Sequence, residues 1–186
     1  MSDPRLKITV LSGTNRPGSR TRRVAARLMA RYAEMDGVEA SILDLQDLPL
    51  ELAAPAAYAD KPAGFAPFAD RVLASDGLHV VAPEYNGGMP GILKLFIDHL
   101  PFPESFEARP VAFVGVAAGR FGALRPIEQL QAVFGYRNAH VFPPRVFIAG
   151  AAKAIDENGE PTDAFVQDLM DRQVAGFVDF VRRLKG

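Results

Sequence analysis

Hydrophobic positions along this chain fall into short apolar runs, separated by stretches in which they recur every three or four residues. Leu6 to Leu11 (LKITVL) is short, apolar and β-branched and stops at Gly13, so it reads as a buried strand. From Ser19 onward Val24, Ala25, Leu28, Met29 and Tyr32 keep helical spacing, predicting an amphipathic helix that ends near Gly37. Val38 to Leu45 predicts a second strand, Gly77 to Ala82 a third that stops at Pro83, Val111 to Val116 a fourth, and Val141 to Ile148 a fifth. Helices are expected over Phe68 to Leu73, Ile92 to Leu100, Leu124 to Phe134 and Ala164 to Leu184. Pro49 to Pro67 is rich in alanine and proline without a clean period, which predicts a loop, either a lid or a surface crossing.

Strands that are nearly all apolar and alternate with helices predict an α/β protein, a doubly wound parallel sheet covered by helices on both faces. With 186 residues and no repeats, a single domain is expected. Ligands of such sheets sit beyond the carboxyl ends of the strands, at the switch in strand order. The loops starting near Gly13, Pro83 and Ala117 all leave from that edge.

Composition narrows the partners. A net charge of −1 gives no footprint for bulk nucleic-acid binding. The chain has no cysteine, so it offers no disulfide framework, no thiolate nucleophile and no sulfur-based zinc site, and a cytoplasmic address is expected. Met1-Ser2-Asp3-Pro4 does not resemble a signal peptide, and no apolar run approaches the roughly 18 residues of a membrane span.

Candidate chemistry lies in three loops. Ser12 to Thr21 (SGTNRPGSRT) is wedged between a strand and a helix, where free N–H groups and the positive end of the helix dipole can meet an anion. It lacks the Gly-Lys-Ser/Thr of a P-loop and the G-x-G-x-x-G of dinucleotide sites, but a single phosphate needs less. Thr14, Ser19 and Thr21 can donate hydroxyls and Arg16 a charge-assisted bond. Arg20, Arg22 and Arg23 sit where the dipole disfavours cations by roughly 0.3 to 1 kcal/mol each, a cost that a nearby anion would relieve. The alternative is a polar turn with a solvated basic helix face. In the second loop, Pro83 to Gly91 (PEYNGGMPG), prolines stiffen the chain and glycines allow close approach to a flat ligand. Tyr85 can cover an aromatic ring and Asn86 offers both donor and acceptor, or the stretch is a structured turn before a helix. The third loop, Ala117 to Gly122, is small enough to line the other edge of the same ring.

With all three loops in view, the chain resembles the NAD(P)H-dependent FMN reductase family, which has a flavodoxin-like fold and includes quinone, azo-dye and chromate reductases. Gly13, Thr14, Arg16 and Ser19 match its G-S/T-x-R-x-x-S loop. Pro83 to Asn86, Pro90, Gly91, Leu93 and Lys94, then Ile97, Asp98 and Leu100, match P-E-Y-N-x-x-x-P-G-x-L-K followed by I-D-W-L. The chain departs from the pattern at Thr21, Leu95, His99, Ala117 and Ala118. The resemblance implies a five-stranded sheet of order 2-1-3-4-5 that binds FMN, with NADPH or NADH as co-substrate. Its implied cofactor-binding residues are Gly13, Thr14, Arg16, Ser19, Arg20 and Thr21 around the phosphate, and Pro83, Glu84, Tyr85, Asn86, Gly87, Ala118, Gly119, Arg120 and Gly122 around the ring. It further implies hydride transfer to a small-molecule acceptor by a ping-pong scheme, and a homodimer or homotetramer.

Hydride transfer between stacked rings needs placement to about 3 to 3.5 Å and no protein proton donor. His79, inside an apolar strand, is expected in the core, and His140 is expected to be structural. His99 at a helix end is favoured there by the dipole. Arg120 contacts a dinucleotide phosphate or faces water, and Glu84 with Asp98 lacks the spacing of a metal site. Two other functions stay open: a flavodoxin-type electron carrier, and a non-catalytic flavin- or nucleotide-binding module.

Overall fold

The computed structural model describes residues 5–186, so Met1 to Pro4, on which the expectation of no leader rests, lie outside the described residues. Five strands form one parallel sheet in the order β2-β1-β3-β4-β5. They are β1 (Leu6–Ser12), β2 (Val38–Asp44), β3 (Gly77–Pro83), β4 (Pro110–Val116) and β5 (His140–Ile148). Helices α1 (Arg20–Ala33) and α6 (Ala164–Lys185) cover one face, while α2 (Ala66–Ala74), α3 (Gly91–His99) and α4 (Leu124–Tyr136) cover the other. Alternation along the strands feeds both layers. Val10 and Val81 pack toward α1 and α6, whereas Leu11, Val80 and Ala82 pack toward α3. Every residue of β3 and β4 is buried, as central parallel strands require.

Caps set the helix starts. The Ser19 hydroxyl accepts from Arg22 N at 3.1 Å, and Asp163 Oδ1 accepts from Phe165 N at 2.9 Å. The first helix stops at Ala33, one turn before Gly37. No helix among the described residues is long and apolar enough to cross a membrane.

The expectations fail in two places, and one small element was not foreseen. The Pro49 to Pro67 stretch is not one loop but a chain of short 3-10 turns whose Leu52, Ala57 and Phe65 are buried against the α3 layer. Its anchors are spaced for single turns, so no longer period shows. The fifth strand is not nearly all apolar: His140, Pro143, Pro144 and Arg145 are exposed, and the pairing with β4 slips between Val111↔Val141 and Phe113↔Arg145. A four-residue helix α5 (Ala151–Ala154) and a bridge between Ile155 and Pro161 follow β5. Glu160 in that hairpin takes ion pairs from Arg27 and Arg31 of α1.

One polar chain crosses the α1/α6 core. Gln173 Nε2 donates to the carbonyls of Phe113 at 3.0 Å and Pro144 at 2.9 Å, satisfying backbone at the slip. Its Oε1 therefore accepts from His79 Nε2 at 3.2 Å, and His79 Nδ1 accepts from the Tyr32 hydroxyl at 2.7 Å. Burial pushes His79 down to about 3, with the Gln173 hydrogen bond acting the other way, so the ring is neutral as this tautomer needs.

Candidate functional site

The switch in strand order falls between β1 and β3, and there the two strands are joined beyond their ends. Gly13 N donates to Val81 O at 2.9 Å, and the hydroxyls of Thr14 and Tyr85 lie 2.7 Å apart. Thr14 is buried and also accepts from Arg16 N at 3.2 Å, so one side chain fixes both the first loop and the second.

Two adjoining clefts open above this joint. The first, of about 280 Å3, runs from Arg16, Ser19, Arg20 and Thr21 to Pro83, Glu84 and Tyr85, with Ala118 on its far wall. The second, of about 210 Å3, continues along Glu84, Asn86, Gly87, Ala118 and Gly119. A larger hollow of about 330 Å3 between β1, β2 and α2 mixes Lys7 and Arg71 with Glu39 and Asp70 and collects none of the three loops.

The first cleft is built for an anion. Among the described residues, the N–H groups of Arg20 and Thr21 in the first turn of α1 have no protein acceptor, while those of Arg22 and Arg23 are taken by Ser19. Arg16 and Arg20 have no carboxylate partner there, whereas Arg22 is paired with Asp44 and so faces away from this role. Unsatisfied donors and unpaired guanidiniums at one helix end fit a phosphate.

The second cleft is built flat. Tyr85 and Gly88 exchange two backbone hydrogen bonds of 3.0 Å, with Asn86 at φ 51° and Gly87 at φ 80° between them. Positive φ at both central positions is a type I′ turn, the one Asn-Gly favours. The turn lines one side of this cleft and the small Ala117, Ala118 and Gly119 another, with Phe121 and Arg125 at its far end, so a planar ring can lie against backbone and methyl groups. These features fit FMN, phosphate at one end and ring at the other.

Of the residues singled out from sequence, Gly13, Thr14, Arg120 and Gly122 line neither cleft. Gly13 and Thr14 brace the joint beneath it. Gly122 supports β4, because a Cβ on Gly115 would come within 2.3 Å of its carbonyl oxygen. Arg120 lies on the rim, 5.3 Å from the Phe121 ring centroid. Sequence reasoning missed Ala151, which closes the first cleft, and Arg125, which donates to Glu84 at 2.9 Å. Arg125 carried a signal: it is a cation in the first turn of α4, the same dipole mismatch that marked Arg20.

The histidines lie apart from the clefts. His79 is in the core, as expected. His99 is buried, stacks on Tyr58 at 4.5 Å, and has no partner on either ring nitrogen among the described residues. Burial, then the charge of Lys61, pushes its pKa down against the pull of Asp98, so it packs as a neutral ring and not as a dipole-stabilised cation. His140 is exposed at the start of β5. Asp98 is held by Lys94 at 2.7 Å, far from acting with Glu84, and no cluster among the described residues could hold a metal ion.

A 2-1-3-4-5 sheet with its binding loops at the β1/β3 switch is the flavodoxin-like class. Within that class the chain belongs to the NADPH-dependent FMN reductase family, whose sequence pattern matches residues 6–154. It is 32% identical over 189 residues to an NAD(P)H-dependent FMN reductase of Pseudomonas aeruginosa, with all of both chains covered. It is 31% identical over 178 residues to a 2-hydroxy-1,4-benzoquinone reductase of a Burkholderia species, covering 91% of this chain and 95% of the relative. Among solved structures it is similar to FerB, a flavoenzyme NAD(P)H:(acceptor) oxidoreductase of Paracoccus denitrificans, with TM-score 0.77, 26% identity, and 96% and 98% of the two chains covered. The protein is thus an oxidoreductase that uses FMN, with NAD(P)H as its electron donor.

Proposed function

We propose that the protein is a single-domain cytoplasmic enzyme that carries two electrons from NAD(P)H to a quinone-like small molecule, in two half-reactions that use one open face of the site. The balance is NAD(P)H plus quinone plus one proton giving NAD(P)+ plus quinol. The observation that carries this reading is the pair of adjoining clefts, one with unpaired donors and cations and one flat, sharing Glu84, Ala117 and Ala118. The benzoquinone named for the Burkholderia relative supports the acceptor class.

FMN, when bound, accepts a hydride and hands on two electrons. Arg16, Ser19, Arg20 and Thr21 would hold its phosphate, the two guanidiniums supplying charge and the α1 N–H groups direction. Asn86, Gly87, Ala118 and Gly119 of the second cleft would hold the ring, with Tyr85 at the end of the first cleft beside them. Thr14 fixes Tyr85 through its hydroxyl, so the two ends of the site keep one spacing. The Asn86-Gly87 turn keeps backbone atoms, not flexible side chains, at the ring end, which lowers the reorganisation needed as charge develops. Glu84 is tied to Arg125, so the protein contributes placement rather than an acid or base.

Tyr58 and Phe102 are each 63% exposed, and that apolar surface supports a homodimer or homotetramer, which light scattering would measure. For the reaction, purified protein loaded with FMN should bleach anaerobically under NADPH and recolour with 1,4-benzoquinone. Double-reciprocal plots at several quinone concentrations should be parallel. If the loaded protein oxidised neither NADPH nor NADH with any quinone, the reading would fall.

A further inference from the structure

The β4 to α4 loop carries an arrangement that the proposed flavin contacts do not use. The ring of Phe121 is 51% exposed at the mouth of the flat cleft, and two guanidiniums lie over it, Arg120 at 5.3 Å and Arg125 at 5.2 Å from the centroid. Arg125 is fixed on a second side by Glu84 at 2.9 Å. The Glu84 side chain is only 15% exposed, so its charge is spent on Arg125. Arg120 is exposed and has no carboxylate partner among the described residues. Two cations and one anion thus surround one flat apolar face, leaving a net positive charge where a co-substrate must enter.

A guanidinium is weakly hydrated, stacks on aromatic faces and takes planar or tetrahedral anions through paired N–H groups. An exposed phenyl ring offers stacking area to a second flat ring. We propose that Arg120 and Phe121, with Arg125 positioned by Glu84, form a selectivity platform for a co-substrate that carries an anionic group beside a flat ring. The inference rests on the reading that this cleft admits the reductant and the acceptor. Arg120 takes the anionic group and Phe121 the ring face; Arg125 neutralises Glu84, which would otherwise repel the same anion. Two sources share this chemistry, the ribose phosphate that distinguishes NADPH from NADH, and an anionic substituent on the acceptor.

The test uses the FMN-loaded protein and two ratios of kcat/KM: NADPH over NADH, and 1,2-naphthoquinone-4-sulfonate over 1,4-naphthoquinone. In Arg120→Ala at least one ratio should fall about tenfold, and Arg120→Lys should restore part of it. Phe121→Leu should lower the same ratio by a smaller factor, and raising salt should lower it in the parent but not in Arg120→Ala. Arg125→Ala, which frees the Glu84 carboxylate, should lower it at least as much. A fall in the first ratio assigns the platform to the dinucleotide phosphate, a fall in the second to the acceptor's anion. Arg172→Ala, a surface cation of α6, controls for net charge and should move neither ratio. If both ratios stay within twofold of the parent in Arg120→Ala, or rates for charged and neutral substrates fall together, the platform is overturned. Anaerobic bleaching of the parent by NADPH reports separately on the reductase reading.

Discussion

The Tyr85 phenol and the Thr14 hydroxyl, 71 positions apart in sequence, meet at 2.7 Å and make one rigid corner of two loops. Because Thr14 Oγ1 also accepts from Arg16 N, the two partners are unequal. Tyr85→Phe should cost about 1 kcal/mol, whereas Thr14→Val strips both bonds and should cost about 2 kcal/mol. Thr14→Val should also weaken FMN binding about tenfold, Tyr85→Phe by less, as read by quenching of flavin fluorescence on titration. Equal losses in both variants would contradict this ordering.

The second loop pair has a steric counterpart. A Cβ on Gly115 would sit 2.3 Å from Gly122 O and 3.2 Å from Ala123 Cβ, so Gly115→Ala must push the β4 to α4 loop outward. A loss of about 1–3 kcal/mol is expected, with weaker flavin retention. Gly119→Ala meets nothing within 4 Å and should leave stability within about 0.5 kcal/mol. Urea denaturation of the three proteins side by side decides it.

Acid should act first through the buried histidine. His79 has a folded pKa near 3, well below its unfolded value of about 6.5, so between these values the unfolded chain holds the extra proton. Stability therefore rises with pH through that window and is lost as pH falls from about 6.5, by up to about 1.4 kcal/mol per pH unit from this group. His99, also lowered, adds in the same direction. Urea midpoints measured from pH 7.5 to 5 should fall, and His79→Gln, though less stable at pH 7.5, should fall less steeply. An unchanged slope would show that His79 is not the group responsible.

Glu160 adds a lower step. Burial alone would raise its carboxyl, but the hydrogen bonds and charges of Arg31 and Arg27 hold it below the ordinary value. Its contribution is present above about pH 4.5 and lost as pH falls through the lowered value. Glu160→Gln should cost about 2 kcal/mol at pH 7. Its deficit should shrink when unfolding is repeated near pH 3.

The strands were legible because β3 and β4 are buried on both faces and leave no polar position to confuse the period. The two long motifs were legible because turn chemistry is local: Asn86-Gly87 needs only its own φ angles. What escaped depends on pairs distant in sequence. Glu84 and Arg125 are 41 apart, Gln173 reaches Pro144 from 29 away, and Glu160 meets Arg31 across 129. Gly13 and Gly122 read as ligand residues because glycine beside a cleft and glycine beneath it leave the same letter in the chain. His99 misled for a related reason: its burial comes from Tyr58 and Phe65, in a segment with no period.

The slip in β5 reaches beyond the site. Pro143 and Pro144 have no N–H to offer, so at the slip an incoming strand from another chain would find the donors of these two positions missing. On the opposite margin the Arg71 guanidinium already occupies the carbonyl of Ile42 at 3.1 Å. Growth of one sheet into the next is therefore hindered at one place on each margin. A strand added to either margin would leave part of its own ladder unpaired, the cost that discourages edge-to-edge pairing of folded sheets.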